Sequence, residues 1–595
     1  MKLWTCVLVV CAAVCVACGQ QPASDEDWLE LDTPQGPVRG RKDPEFDLYA
    51  FYNIPYVTTP LNEDKYKPAL PAPVWTTPFE AVDKHVICPQ PTFPIDLMPK
   101  HMVMQEDCLI ANVFVPDTQK KNLSVLVYVH GGAFVMGYGE MFSGKRLLEK
   151  KDIVLVTFNY RLGIHGFLCL GTEDAPGNVG MKDQVELLRW VQKNIASYGG
   201  NPDDVTIAGY SAGSASVDLL MLSKSTEGLF KRVIPESGGN LAAFSIQRDP
   251  LQIAKDYAKR YNFTEVDDVY ALEQFYKTAP IEWITADTFF DRPDSTFLFS
   301  PCVERETEDA FLTESPLNIL QTGNYNKLPL LYGFAEMEGM LRLWSFEMWK
   351  HKLNEKFSDF LPADLHFKSE EEREAVADKV KEFYFGDQPV GNDNILSYID
   401  LFSDIIFTFP MLWAVKLHAE AGHNQVYLYE YSFVDENTPL IPYTNVRGAN
   451  HCAQTGAIMD GVNMTHLDET LLTPEYKSMK KIMRGIWYDF IKTGNPVPEH
   501  SSVPAWPAAG ADRRPYMSLG QKIELRDEPL LEKRTRFWQD IYQQYYLDPI
   551  PPPAPGPKPH RIISNLSKLN KFSVSNKLLL ILHLFNRLIL PSTTI

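Results

Sequence analysis

The chain has 595 residues and a mass of 67.7 kDa, with 45% apolar and 22% charged residues, the proportions of a soluble globular protein able to bury a large core. Its formal net charge of -19 and pI near 5.2 create a field that repels phosphate backbones, which excludes nucleic acid as an expected partner. Acidity of this size is common in plain soluble proteins and does not by itself select a cationic substrate.

Lys2 followed by an apolar run from Leu3 to Ala17 and small residues predicts a secretory leader over residues 1–19, cleaved near Cys18 to Gln20. The same run resembles a lipobox with Cys18 as lipid acceptor, a reading that ranks below the leader. Cys6, Cys11, Cys15 and Cys18 fall in this leader, which leaves Cys88, Cys108, Cys169, Cys302 and Cys452. An odd count in an exported chain leaves at least one free thiol. Cys88 and Cys108 alone are close enough in sequence to close a compact loop, so they are expected to pair and the other three to be mostly buried thiols. Sequons begin at Asn122, Asn262, Asn463 and Asn565, as in a glycosylated secreted chain.

From residue 20 to residue 548 no linker or repeat interrupts the chain, which predicts one large domain. Ser124 to Val129 and Ile153 to Phe158 are short Val-rich runs that read as buried strands, and Val205 to Gly209 is a third. Between the last two, Val185, Leu187, Leu188, Val191 and Ile195 recur at helical spacing and predict a helix over 183–198. Strand, helix, strand implies a parallel sheet with a right-handed crossover, hence an α/β fold. Leu328 to Phe334 and Val426 to Phe433 read as later strands of the same sheet, so the loops after them are where a site is expected.

Gly209-Tyr210-Ser211-Ala212-Gly213 follows the third strand and precedes a helix-forming stretch, the context a G-x-S-x-G nucleophile elbow requires. A tight strand-to-helix turn strains the serine backbone and leaves no room for flanking side chains, and the helix N-terminus aims free N–H groups at developing negative charge. A serine before a helix is ordinarily an N-cap, and the second motif decides against that reading. His130-Gly131-Gly132-Ala133-Phe134 follows the SVLVYV strand, where adjacent glycines let backbone N–H groups approach a substrate oxygen. Gly132, Ala133 and Ala212 are the expected oxyanion donors. A serine hydroxyl needs a base, and of thirteen histidines His451, on a loop after the YLYEYSF strand, fits the order Ser, acid, His. His418, His423 and His466 are the alternatives. Glu338 is the expected acid because Gly339 beside it supplies a turn, with Glu336 as runner-up. This chemistry needs no metal or organic cofactor, and no ligand cluster of metal-binding spacing is visible.

After Asp548 the character changes. Pro549 to Pro559 is dominated by proline and favours polyproline II, and the tail from 549 to 595 ends in an apolar segment, Leu578 to Leu590, interrupted by His583, Asn586 and Arg587. A lipid-anchor signal is one reading of this tail, ranked below an amphipathic tail or a plain extension, and the anchor is the only expected route to a membrane.

With these motifs in place the chain resembles the type B carboxylesterases, the family of cholinesterases and insect carboxylesterases, from about Leu29 to Tyr545. The resemblance extends to Glu106-Asp107-Cys108-Leu109, Asn159-Tyr160-Arg161-Leu162-Gly163, Gly177-Asn178-Val179-Gly180 with Asp183-Gln184, and Glu236-Ser237-Gly238-Gly239. It implies an α/β-hydrolase fold, an acyl-transfer esterase acting on a small-molecule ester, and the triad Ser211, Glu338 and His451. It also supports the Cys88 to Cys108 disulfide and implies an ion pair between Arg161 and Asp183. Phe297 and Phe299 resemble the aromatic pair that narrows the cholinesterase acyl pocket, which would favour small acyl groups. Tyr210 stands where cholinesterases carry glutamate and juvenile hormone esterases usually glutamine. No tryptophan lies between Cys88 and Cys108 to hold a quaternary ammonium, so choline esters are not expected. A small second disulfide loop of vertebrate relatives is missing, and Cys452-Ala453-Gln454 follow the histidine where acidic residues are common. The family also contains inactive adhesion proteins, but those lose the serine that this chain keeps. A true lipase would need a lid and a lipid-facing patch that the sequence does not mark.

Overall fold

Valine-rich runs without charges become central strands because both of their faces can be covered by other layers. Every residue of Leu123–Val129 and Ile153–Phe158 is buried. Along the first of these, Val125, Val127 and Val129 join the core on one face of the sheet, while Leu126 and Tyr128 join a second core on the other. The computed structural model describes residues 27–91, 102–286, 292–461, 472–497 and 503–558.

In chain order the strands of the main sheet are β1 (Trp28–Thr33), β2 (Gly36–Lys42), β3 (Leu48–Pro55), β4 (Phe79–Glu80), β5 (Ile110–Pro116), β6 (Leu123–Val129), β7 (Ile153–Phe158), β8 (Gly200–Tyr210), β9 (Arg232–Glu236), β10 (Leu330–Ala335), β11 (Val426–Tyr431), β12 (Tyr516–Leu519) and β13 (Ile523–Arg526). They lie side by side as β1-β2-β3-β5-β7-β6-β8-β9-β10-β11-β12-β13, with β4 beside β2. From β7 to β12 every neighbouring pair is parallel, whereas β1, β2, β3, β5 and β7 pair antiparallel. This mixed sheet flanked by helices is the α/β-hydrolase fold.

The chain leaves β6 for β7 on one side, then crosses back to place β8 on the other. Strand order reverses at β6, and in such sheets a crevice opens beyond the carboxyl ends of the strands at the reversal. His130-Gly131-Gly132 follows β6 and Ser211 follows β8, so both motifs emerge at that crevice.

The helix expected over 183–198 runs Val179–Asn194 and tightens into a final turn at Ile195–Tyr198. It starts early because Asn178 adopts the left-handed conformation, at φ 54°, directly after Gly177 at φ 109°. On this helix Asp183, fully buried, receives a two-pronged contact from Arg161, Nε to Oδ2 at 2.8 Å and Nη2 to Oδ1 at 2.6 Å. Arg161 Nη1 also donates to the carbonyls of Lys65 and Lys67, so the guanidinium's other edge is hydrogen-bonded as well, which offsets part of the desolvation cost of the buried pair.

Cys88 and Cys108 are disulfide-bonded. The expectation that Cys169 and Cys302 are thiols is wrong: they form a second disulfide across 133 residues of sequence. Sequence distance misled because residues far apart along the chain meet after folding, here beside Gly177, where an added Cβ would lie 2.6 Å from Cys169 Sγ. Cys452 is the remaining free thiol among the described residues.

The helix Ile395–Ser403 continues through a π-helical turn, Asp404–Thr408, into the helix Phe409–Glu420. This segment is long and apolar enough to cross a membrane, but 83% of its most apolar window is buried inside the protein. Contacts divide the chain into one unit ending at Ala554 and a second beginning at Pro555, of which residues 555–558 carry no regular element. The leader, His466, Asn463 and the tail beyond 558 lie outside the described residues.

Candidate active site

β8 ends at Tyr210, Ser211 sits at φ 55° and ψ -121°, and the helix Ala212–Leu222 begins at the next residue. Both flanking glycines are needed for close approach: a Cβ on Gly209 would lie 2.4 Å from Gly213 O, and one on Gly213 would lie 2.2 Å from Val129 O. Backbone strain of this kind persists only where the surroundings fix it. Here the Ser211 N–H donates to Glu236 O at 2.9 Å, and a Cβ on Gly238 would meet Ser211 O at 2.4 Å. The Glu236-Ser237-Gly238 motif thus clamps the serine turn from below.

Ser211 Oγ lies 3.1 Å from His451 Nε2, and His451 Nδ1 lies 2.5 Å from Glu338 Oε2. Glu338 is fully buried, whereas Ser211 and His451 retain slight exposure. The other carboxylate oxygen, Oε1, accepts from Ser237 Oγ at 2.5 Å and from the Ala335 N–H at 2.8 Å. The histidine loop is tied to the acid's turn by the Met337 N–H donating to Ala449 O at 3.0 Å. Gly339 serves packing more than turning: its Cβ would fall 2.1 Å from Ile399 O on the crossing helix.

After β6 the backbone runs through Gly132 at φ 102°, Ala133 at φ 57° and Phe134 at φ 61°. Three successive left-handed residues turn the peptide N–H groups away from regular pairing. Among the described residues, the N–H groups of Gly132, Ala133 and Ala212 donate to no backbone carbonyl. Such unspent donors at the start of a helix and in a glycine turn form a site for negative charge.

A file of aromatic rings leads away from the histidine. Phe407, presented by the π-helical turn, lies over His451 with centroids 4.3 Å apart, Phe244 contacts Phe407 at 5.7 Å, and Phe297 contacts Phe244 at 4.6 Å. Phe299 parts company with Phe297: it is fully buried and meets Tyr257 edge-on at 5.3 Å. Two residues apart in an extended strand would share a side, but a bend at Leu298 and Phe299 breaks that rule.

A carboxylesterase family model matches residues 27–538. The chain belongs to the carboxylesterase family. It is 30% identical over 479 residues to juvenile hormone esterase of Heliothis virescens, covering 77% of this chain and 84% of that one. It is 29% identical over 510 residues to venom carboxylesterase-6 of Apis mellifera, covering 81% and 88%. The solved juvenile hormone esterase from Manduca sexta, with OTFP covalently attached, superposes with a TM-score of 0.77 at 27% identity, over 87% of this chain and all of the other. This carboxylesterase is accordingly a carboxylic ester hydrolase.

The alternative residues of the esterase are otherwise engaged. Glu336 follows β10 beside Asp400 and Arg534, and its carboxyl is raised by burial and by Asp400. His418 and His423 both face Tyr325 Oη, and His423 Nε2 meets Leu328 O at 2.6 Å. Burial lowers both histidines, His423 to about 4. Tyr210 packs between Tyr128 and Phe142, with its hydroxyl on Met141 Sδ. Ser237, Gln454, Glu236 and Phe407 surround the site without having been picked out as site residues. The Glu-Ser-Gly-Gly motif marked the first and third, whereas Phe407 lies in a long apolar helix that carries no signal of its own. Glu236 is raised to about 7, by burial first and by Glu338 last, while Tyr429 Oη and Thr455 Oγ1 donate to it at 2.5 and 2.9 Å. The Cys452 thiol is pushed well up by burial and by Glu338 and Glu236.

Proposed function

We propose that this chain is a secreted serine carboxylesterase working through an acyl-enzyme, with small-acyl esters as substrates. The observation that carries it is the single file Ser211 Oγ, His451, Glu338, at 3.1 and 2.5 Å, beside three unspent backbone N–H groups. Ser211 Oγ attacks the ester carbonyl carbon while His451 Nε2 takes its proton. The oxyanion is held by the N–H groups of Gly132, Ala133 and Ala212 until the carbon–alcohol bond breaks, and His451 returns the proton to the leaving alkoxide. Water then attacks the acyl-enzyme, gives a proton to His451, and the carboxylic acid departs as Ser211 recovers its proton. Glu338 accepts the Nδ1–H of His451 and stabilises the imidazolium formed at each step.

The small-acyl reading rests on Phe297, Phe244 and Phe407, and Phe299 is not part of it. Secretion is supported by the apolar leader, two disulfides and the likeness to a venom carboxylesterase. Asn122 and Asn262 are exposed and are the glycan acceptors this reading assigns within the described residues.

The test is organophosphate titration of residues 20–548, with hydrolysis of acetyl and long-chain aryl esters and Ser211→Ala as control. One label per chain at Ser211 with an acetyl preference supports the proposal. No label and no turnover overturns it.

A further inference from the structure

We propose that the bond between Cys169 and Cys302 is a specificity-determining fastening, which ties the arm carrying Phe297 to the support of the oxyanion turn and so sets how long an acyl group the site accepts. The proposal rests on the small-acyl reading of Phe297 made above.

The support is the short helix Gly163–Phe167. Its first N–H, that of Gly163, donates to Phe134 O at 2.7 Å, and the ring of Phe167 meets the ring of Phe134 edge-on with centroids 5.1 Å apart. Phe134 is the last of the left-handed residues that follow β6, so this helix backs the turn that carries the oxyanion donors. Cys169 comes just after the helix. On the other side Phe297 packs on Phe244, and Cys302 lies a little further along the same arm. From residue 292 to residue 305 the chain makes no helix or strand, so no ladder of backbone bonds holds Phe297 in place. The arm stands where its fastenings put it.

Those fastenings gather at its foot. Asn178 Oδ1 accepts the Cys302 N–H at 2.8 Å, while its Nδ2 donates to Cys302 O at 2.8 Å and to Glu304 Oε2 at 2.7 Å. Lys182 Nζ meets Glu304 Oε1 at 2.6 Å. The Gln247 N–H donates to Pro301 O at 2.8 Å, and its Nε2 reaches Ser300 O on the arm as well as Phe167 O on the support, the latter at 2.9 Å. Such bonds open one at a time in local fluctuations, whereas the disulfide holds its two Cα atoms, 6.8 Å apart, through them. Both cysteines are buried, and a Cβ on Gly177 would lie 2.6 Å from Cys169 Sγ and 2.9 Å from Cys302 Sγ. Small thiols therefore have no access to exchange the bond, and it is a lasting part of the site. A role confined to stability acts on the unfolded chain and leaves acyl selectivity alone, so selectivity is the readout that separates the two roles.

The experiment measures kcat/KM per titrated Ser211 for acetate and hexanoate esters of one aryl alcohol. The proteins are the wild type, Phe297→Ala, Phe299→Ala, the pair Cys169→Ala with Cys302→Ala, and that pair combined with Phe297→Ala. The cysteine pair is expected to raise the hexanoate-to-acetate ratio about five-fold. Phe297→Ala, expected to raise it about ten-fold or more in the bonded protein, is expected to add less than about three-fold once the bond is gone, because both changes release the same wall. Phe299→Ala supplies a destabilised chain whose ratio is expected to stay within about two-fold, which separates lost stability from lost selectivity. Rates per titrated site exclude misfolded protein, and Cys169→Ala with Cys302→Val, which restores volume at the second position, carries the test if the alanine pair yields no sites. A cysteine-pair ratio within about two-fold of wild type, alongside a Phe297→Ala ratio that rises, overturns the proposal and leaves the small-acyl reading standing. A rise with Phe299→Ala equal to that of the cysteine pair also overturns it. A Phe297→Ala ratio that does not rise overturns the small-acyl reading, and this proposal with it.

Discussion

The ring of Phe407 lies over the imidazole of His451, centroids 4.3 Å apart and planes inclined by 26°. An aromatic face attracts a cation, so under the proposed mechanism it would favour the imidazolium formed when Ser211 gives up its proton. Phe407→Leu, which preserves bulk but removes the π face, is expected to lower kcat about five- to ten-fold with little change in KM, read by steady-state hydrolysis of an aryl acetate.

Phe297 and Phe299 should separate in experiment as they do in space. Phe297→Ala is expected to raise kcat/KM for hexanoate over acetate by about ten-fold or more, because it opens the end of the ring file away from His451. Phe299→Ala is expected to leave that ratio within about two-fold and instead to destabilise the fold by about 3–5 kcal/mol, since it empties a buried site against Tyr257. Acyl-chain profiles and denaturant unfolding of the two variants check this.

The disulfide between Cys169 and Cys302 changes a count. The five cysteines between residues 20 and 548 should yield one thiol per chain, Cys452, when the unreduced protein is denatured and titrated with a thiol reagent. Replacing Cys169 and Cys302 together by serine is expected to lower stability by about 2–5 kcal/mol, because the bond closes a loop of 133 residues in the unfolded chain.

Glu236 makes stability depend on pH. Burial raises its carboxyl from 4.5 to about 7 in the folded state. Below the unfolded value the group is protonated in both states and has no effect. Between that value and about 7 the unfolded chain releases a proton that the folded chain keeps, so stability falls as pH rises and levels off above. Glu236→Gln removes this loss, and its stability relative to wild type should rise by about 1–3 kcal/mol between pH 4.5 and 8 in urea unfolding. The buried His130, lowered to about 4, works in the opposite direction, which is why the comparison is made between variant and wild type at each pH.

Much of the parallel half of the sheet was legible because its strands are signalled locally. Val-rich runs bounded by turns mark β6, β7 and β8, and the glycines at 209 and 213 are required by the backbone approaches that the structure shows. The antiparallel edge strands β1 and β2 were not marked, since WLELDT and GPVRGRK interleave charged and small residues and sit at the sheet's edge, where one face remains wet. Gln454 was noticed only as a departure from the acidic pattern after His451, and its contact with Ser237 Oγ is made only by the fold.

By itself the sequence determined the α/β class, the strained serine turn, the glycine turn after β6 and the order of serine, acid and histidine, because each of these restricts backbone angles or hydrophobic period over a few neighbouring residues. The tertiary structure decided which distant groups meet. Glu338 and His451 are 113 residues apart, Ser211 and His451 are 240, and Cys169 and Cys302 are 133. Those meetings are set by the sheet order, with β8 brought beside β6 and β9, β10 and β11 following in parallel, and by a bend and a π-helical turn that aim Phe297 and Phe407. A local pattern carries no record of such distances, because they arise from the packing of whole layers and not from the conformational preference of any one segment.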